Sequence, residues 1–422
     1  MVLYSFPIRL LTKRMRQTAA FGLAFLAASA LAQPVASTPT LKQALDAAWQ
    51  VGSQSRSLDN RRSELAAREK AANSWISGEP VAGIAHRTDR LNKNEGFREY
   101  EAELELPLWN PGVRSAAQAD VSAQRMGFDG QFAAAKLKLA GELRTLSASI
   151  AMTQIELDLN KRKLLDANAL TQDLNRRVKA GENARVDGLQ SKVLVQQAQT
   201  AIAQAESQLS RYQSQWRSMT GLTAVALPDE PLASSLSGQS NTAPISADHP
   251  ALRFAQAQVG SAQAKLALAN ADKRDPMSVG VGIGRERANF AGANETKLRI
   301  ALRIPLGGDN RNAPRQAAAR AELDTAQADL DAAQRQLPAA VAAANLELRA
   351  AHAAQIAVSE RVRLSTEVQM LITKSWRLGD SDLPTRLRAD NEQFDANLSL
   401  AKASIDVQRA IANLNQAHGI LP

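Results

Sequence analysis

The sequence predicts a mainly α protein with a small β part, a tandem duplication of a unit in which a β-hairpin leads into a long coiled-coil helical hairpin. Three observations carry this expectation. Laying the chain over itself at an offset of 198 pairs Pro107 with Pro305, Leu104 with Leu302, Leu106 with Ile304, Gln118 with Gln316, Gly181 with Gly379 and Gly221 with Gly419. No insertion or deletion separates these landmarks, which is the mark of one structural unit used twice. The second observation is a leucine seam in a stretch without proline from Gly112 to Leu227, and the third is a set of four short segments with period-2 alternation.

The first 32 residues read as a secretory signal and stand apart from the fold. Arg9, Lys13, Arg14 and Arg16 form a basic start, "AAFGLAFLAASALA" is a short apolar run, and Ala30-Leu31-Ala32 before Gln33 is an A-x-A cleavage site. Met15 is a second possible start that leaves the mature chain unchanged. Removal of those four basic residues takes the formal charge from +9 to +5. The remaining basic residues are interleaved with acidic ones and aromatics are sparse, which argues against nucleic acid as a partner. Cysteine is absent, so the chain offers no disulfide, no thiolate metal site and no N-terminal lipid anchor. No apolar stretch of about 20 residues follows the signal, so insertion into a membrane would need something other than a helix.

The first repeat spans 33–227 and the second 246–422, joined by a Pro- and Ser-rich linker at 228–245. The long helix of the first repeat is expected over 113–180, with a seam of Leu139, Leu143, Leu146, Ile150, Leu157, Leu164, Leu174 and Val178. Its counterpart over 309–378 carries Leu323, Leu330, Leu337, Val341, Leu348 and Leu371. Glycine closes each: turns near Gly181 and Gly379 lead into helices at 184–221 and 384–421. Stacked end to end, 184–221 and 246–273 match 113–180 in length, as 384–421 and 41–74 match 309–378, which predicts two columns of one long helix beside two shorter ones. Pro338 occupies the place of Ala140, so a kink or break is expected there.

The strands are expected within 80–108 and 277–306. Alternation puts Tyr100, Ala102, Leu104 and Leu106 on one face and Glu99, Glu101, Glu103 and Glu105 on the other. The fourth strand sets Leu298, Ile300, Leu302 and Ile304 against Lys297, Arg299 and Arg303, while the third sets Val279, Val281 and Ile283 against Gly280, Gly282 and Gly284. Strands of about 10 residues with one apolar and one charged face suit a transmembrane barrel with a wet interior. Four strands cannot close one, so several chains must pool theirs; the alternative is a pair of solvent-exposed hairpins packed on a helical body. The glutamates either make an acidic lumen or pair with the basic face of the fourth strand across the glycines of the third.

In the order and spacing of "LPLWNPG", "IPLGGDNRNAP", "RVKAGENARVDGLQ" and "SWRLGDSDLPTRLRA", the chain resembles the TolC family of outer-membrane efflux proteins across essentially its whole mature length. The resemblance implies a homotrimer that pools four strands per copy into a 12-stranded barrel in outer-membrane lipid, continued by an α-helical tunnel into the periplasm of a Gram-negative cell. It implies a passive duct without cofactor or enzyme activity, served by an inner-membrane transporter, of the RND type, and a periplasmic adaptor. "WRLGDSDLPTRLRAD" and "IPLGGDNRN" are most similar to the CzcC-like branch, which implies heavy-metal cations as cargo. A type I protein-secretion or multidrug conduit has the same fold, and a periplasmic adaptor is a remoter reading.

By the same resemblance Gly181, Glu182, Gly379 and Asp380 form the tip that meets the adaptor, and Asp187, Asp382, Thr385 and Arg388 are candidates for the tunnel gate. A three-fold ring of aspartates would favour cations, but aspartates beside a turn also serve simply as helix starts. Glu99, Glu101, Glu103, Glu105, Lys297, Arg299 and Arg303 would line the barrel. His86, His249, His352 and His418 share no ligand spacing, so no metal site is expected. "GVGIG" from Gly280 sits mid-strand with no helix after it, which excludes dinucleotide binding.

Overall fold

The computed structural model describes residues 38–234, 236, 247–307 and 309–422. The predicted leader at 1–32 and most of the linker at 228–245 lie outside the described residues. Seven helices and four strands follow in the order α1 (Leu41–Val51), α2 (Ser53–Asn73), β1 (Val81–Thr88), β2 (Arg98–Leu108), α3 (Val113–Ala180), α4 (Arg185–Thr220), α5 (Pro250–Ala271), β3 (Met277–Arg287), β4 (Glu295–Arg303), α6 (Asp309–Leu378) and α7 (Leu383–Ala417). With 68 residues in α3 and 70 in α6, each long helix runs roughly 100 Å. Among the described residues no helix is long and apolar enough to cross a membrane.

The stretch 41–74, read as one helix, is two. Thr40 opens α1 with a capping box, its hydroxyl accepting from the Gln43 N–H while the Gln43 side chain accepts from the Thr40 N–H. The helix then stops at Gly52, which takes an extended conformation at φ −62° and ψ 145° and starts α2 afresh. Glycine gains least from continuing a helix, so the chain bends there. Of the kink or break expected at Pro338, the break does not occur, for α6 runs on through Pro314 and Pro338. Pro338 and Gln334 both lie on the exposed side, so the carbonyl that Pro338 leaves unpaired faces water, while Val341 and Ala344 just beyond stay buried.

The two columns form only in part. α3 packs along α4 and α5 as expected, and α6 packs along α7, but α1 and α2 lie against α3 and α4 instead of completing the α6 column, whose other neighbour is α5. The main core therefore gathers at mid-height of α3. Leu143, Leu146, Ile150 and Leu157 meet Leu41 and Leu45 of α1 and Leu209 and Trp216 of α4, and the fully buried Trp216 donates its indole N–H to the Ala224 carbonyl at 3.0 Å. On α6 a second apolar face lies beside the seam. Val341 is buried, but Leu346, Ile356, Leu364, Val368 and Leu371 are about half exposed or more.

Beside this core a buried polar node ties both halves of the chain. Arg144 of α3 donates from Nε to Glu230 at 2.8 Å and from Nη1 to Gln416 at 2.5 Å, and Nη2 reaches the Ile420 carbonyl at 3.0 Å. Asn415 donates to Glu230 at 2.9 Å and to the Pro231 carbonyl at 3.0 Å, and its own oxygen accepts from the Ala233 N–H at 3.1 Å. The linker and the end of α7 are thereby fastened to α3. Arg144→Met should cost about 3–5 kcal/mol, because Glu230 is left buried and uncompensated. Thermal unfolding in detergent measures this, and Arg144→Met with Glu230→Leu should recover part of the loss.

Candidate functional site

The four strands make one antiparallel sheet in the order β1-β2-β3-β4, so β1 and β4 are its free edges. Register sets its two faces. On one, Ile84, Leu104, Val281, Ile283, Leu298, Ile300 and Leu302 stand exposed, Ile84 at 91% and Ile300 at 74%. A contiguous apolar surface of this kind is a surface made to be covered. On the other face Glu99, Glu101, Glu103 and Glu105 lie opposite Glu286, Gly284, Gly282 and Gly280, and those glycines lie opposite Lys297, Arg299 and Ala301. Arg299 reaches over the glycines to Glu101 at 2.5 Å, and Arg303 reaches Glu105 at 2.9 Å and Glu103 at 3.7 Å. Arg87 of β1 pairs with Glu99 at 3.0 Å, and Lys297 pairs with Glu286 at 2.5 Å. Small residues on β3 are what let two charged rows meet from strands that are not neighbours.

The motif "LPLWNPG" anchors this sheet to the helices. Trp109 donates its indole N–H to the Ser74 carbonyl at 2.9 Å, and the buried Asn110 donates to the carbonyls of Arg274 and Asp275 at 3.0 and 3.1 Å. One junction thus binds the ends of α2, β2 and α5 at a single level. Gly112 follows at φ 81°, turning the chain into α3.

At the far end of the hairpins both turns use the same device. The Gly181 N–H bonds the Val178 carbonyl and the Glu182 N–H bonds that of Arg177; the Gly379 N–H bonds the Trp376 carbonyl and the Asp380 N–H bonds that of Ser375. With φ of 82° and 89° at the two glycines, these are Schellman caps. Asp187 lies in the first turn of α4 and accepts from Asn183 at 3.1 Å. Asp382 caps α7, accepting from the Thr385 N–H at 3.0 Å, and the Thr385 hydroxyl and N–H hold its carboxyl below the usual aspartate range. Arg388 is exposed in the groove between α4 and α7, beside Gln190, Leu194 and Leu387. Asp382 and Thr385 therefore act together as a cap, whereas Asp187 bonds within its own turn.

A cluster missed in the sequence lies just inside the tips. Trp376, 6% exposed, is clamped between the guanidinium of Arg177 from α3 at 4.3 Å and that of Arg386 from α7 at 4.1 Å, over a small core of Leu170, Leu174 and Leu383. Arg386 pairs with Asp390 at 3.5 Å, and Gln369 donates to Asp390 at 2.8 Å. Burial, and then the charge of Asp390, push the Asp166 carboxyl above its usual range. The Trp beside the tip glycine was the available signal; the carboxylate pair, 224 positions apart, gave none. Among the described residues no group of three or more His, Asp or Glu side chains is placed to hold a metal ion. His86 stacks on Tyr100 at 4.3 Å, and His249 caps α5.

The chain thus joins an open-edged sheet with one apolar face to roughly 100 Å of paired helices. Residues 245–420 match the family described as outer membrane efflux protein. Protein CyaE of Bordetella pertussis is 29% identical over 190 residues, 42% of this chain and 40% of that protein, so the chain spans about two fifths of the length of that relative. Solved structures match nearly throughout: a membrane protein from Pseudomonas aeruginosa at TM-score 0.74 and 17% identity, covering 90% of both chains. The outer membrane protein VceC of Vibrio cholerae follows at 0.72 and 14%, covering 90% of this chain and 96% of the other. The open-state MtrE outer membrane channel of Neisseria gonorrhoeae matches at 0.68 and 16%, covering 90% and 89%. Over most of its length the chain shares the fold of these outer-membrane proteins, and its second half carries the match to the outer membrane efflux protein family.

The raised Asp166 gives the tip a pH dependence of definite sign. A carboxyl whose folded pKa exceeds its unfolded one adds stability in acid that is lost as pH rises through the folded value. The contact of α3 with α7 should therefore loosen as pH rises above the ordinary aspartate range. Asp166→Asn should raise the neutral-pH melting temperature and flatten its acid dependence, as followed by calorimetry across that range.

Proposed function

We propose that three copies of this chain pool their sheets into a 12-stranded barrel and their hairpins into a tunnel, forming the passive exit duct of a tripartite efflux system. The observation that carries the reading is the sheet: two free edges beside a bare apolar face, which other copies of the same sheet and lipid would cover together. In this arrangement the apolar face meets lipid and the row from Glu99 to Glu105, with Lys297, Arg299 and Arg303, lines the lumen. The exposed apolar residues Leu346, Leu364, Val368 and Leu371 along one side of α6 support it, since an apolar stripe left open in one chain suits a helix of the next. A periplasmic adaptor would dock at the tips, on Gly181, Glu182, Gly379 and Asp380. Asp187, Asp382, Thr385 and Arg388 ring the entrance, and an inner-membrane transporter of the RND type supplies the energy. The cargo is a heavy-metal cation, a reading that rests on the CzcC-like segment "WRLGDSDLPTRLRAD".

The purified protein should run as a detergent-stable trimer and conduct in planar bilayers. A strain lacking the gene should grow poorly in zinc, cobalt, cadmium, copper or silver salts and normally with dyes, detergents and antibiotics. Sensitivity across the drug panel would mean a shared multidrug conduit, and loss of a secreted polypeptide a type I secretion conduit.

Gly379→Pro tests the tip. Proline holds φ near −65°, against 89° at this position, so the Schellman turn cannot form. The trimer should persist while adaptor capture and efflux are lost, and normal efflux would refute the tip assignment.

A further inference from the structure

On the charged face of the sheet each strand has its own character. β1 presents Gly83 and Ala85, β2 the glutamate row, β3 Gly280, Gly282 and Gly284, and β4 Lys297, Arg299 and Arg303. Read across at the level of Gly83 and Ala85, between Val81 and Arg87 of the same face, the order is small, acidic, small, basic. The two small strands are not used alike. Over β3 the space is taken: a Cβ at Gly280 would meet Glu103 Oε1 at 2.7 Å, and one at Gly282 would meet the Ala102 carbonyl at 3.2 Å. Gly83, directly opposite Glu103, has nothing within 4 Å of the place where its Cβ would be. On the other edge Arg299 and Arg303 bond Glu101 and Glu105 yet stay 58% and 61% exposed, and a guanidinium has five donors to share.

We infer that the open space over Gly83 and Ala85 is an intersubunit ion-pair window, through which Arg299 or Arg303 of a second copy of this chain reaches Glu103 and Glu101. This rests on the pooled-strand reading and adds the chemistry of its seam. When β4 of one copy pairs with β1 of the next, the four-strand pattern repeats without interruption. Every basic row then lies between two acidic rows, each one small strand away. The device that β3 provides within a chain is provided by β1 between chains, and it selects β1 over any other edge as the partner of β4.

The test is the temperature at which the detergent-extracted trimer falls to monomer on a gel. Glycine is a poor strand residue and the site is open, so without a window Gly83→Leu should leave the trimer unchanged or firmer. The window predicts a downward shift for Gly83→Leu, none for Gly83→Ala, and a downward shift for Glu103→Gln. The double variant Gly83→Leu with Glu103→Gln should fall no further than the worse single one, since both remove one interaction. Should Gly83→Leu arrest assembly, the same cycle is run with Ala85→Val and Glu101→Gln. A wild-type trimer whose Gly83→Leu form is equally heat-stable, or effects that add in both cycles, would overturn the window and leave the pooled barrel intact. A wild-type protein found only as monomer would instead overturn the pooled barrel, and the window with it.

Discussion

The structure turns on two rows of unpaired backbone groups. β1 and β4 each present N–H and C=O groups along one side, beside a face that bares Ile84, Leu298, Ile300 and Leu302. In water such an edge invites uncontrolled pairing; in hydrocarbon each unpaired group costs several kcal/mol. The chain supplies neither a covering helix nor a fifth strand among its described residues. Under the pooled-strand proposal the four strands of fixed register are part of a wall, and the rest of the molecule holds that part in place. The junction at Trp109 and Asn110 does this locally, by binding the foot of β2 to the ends of α2 and α5.

The charged face poses a second constraint. Four glutamates in alternate positions of one strand repel each other, and exposed ion pairs return only about 0–1 kcal/mol each. Their value lies in specificity, because basic side chains can reach them only over residues that have no bulk of their own. Gly280, Gly282 and Gly284 cost β3 strand propensity and side-chain packing. What they provide is a cross-strand code that a slipped register would scramble, since a shift by one residue turns each charged row to the apolar side.

Much of this was legible because duplication states each landmark twice. The offset of 198 located both tip glycines, and the left-handed φ at Gly181, Gly221, Gly379 and Gly419 is the physical cause of their recurrence. Strand faces followed from period-2 alternation alone. What stayed hidden depends on packing between distant segments. Arg144 and Glu230 lie in different elements, and nothing local in either marks a buried pair. Gly52 was one small residue in a helical pattern, and whether it continues or breaks a helix depends on what α1 packs against. Pro338 misled in the opposite direction, since its exposure could not be read from its chemistry.

Duplication also leaves a gradient along the hairpins. At mid-height the two halves are joined by the buried polar node of Arg144, Glu230, Asn415 and Gln416, beside a core of the first half that includes Trp216 and Leu143, both sealed from solvent. Near the tips the contacts of α3 with α6 and α7 are few and polar: one Trp between two guanidiniums, a small set of leucines, and two aspartates whose charges oppose each other. Elements that move are drawn from the part of a fold where burial is least. The repeats have diverged at this level, Trp376 having Val178 as its counterpart and Asp187 having Thr385. Two hairpins that are equivalent in backbone are therefore unequal in what they grip. The clamp on Trp376 is one that the first hairpin has no equivalent of, while the node at Arg144 fastens the two halves farther along α3.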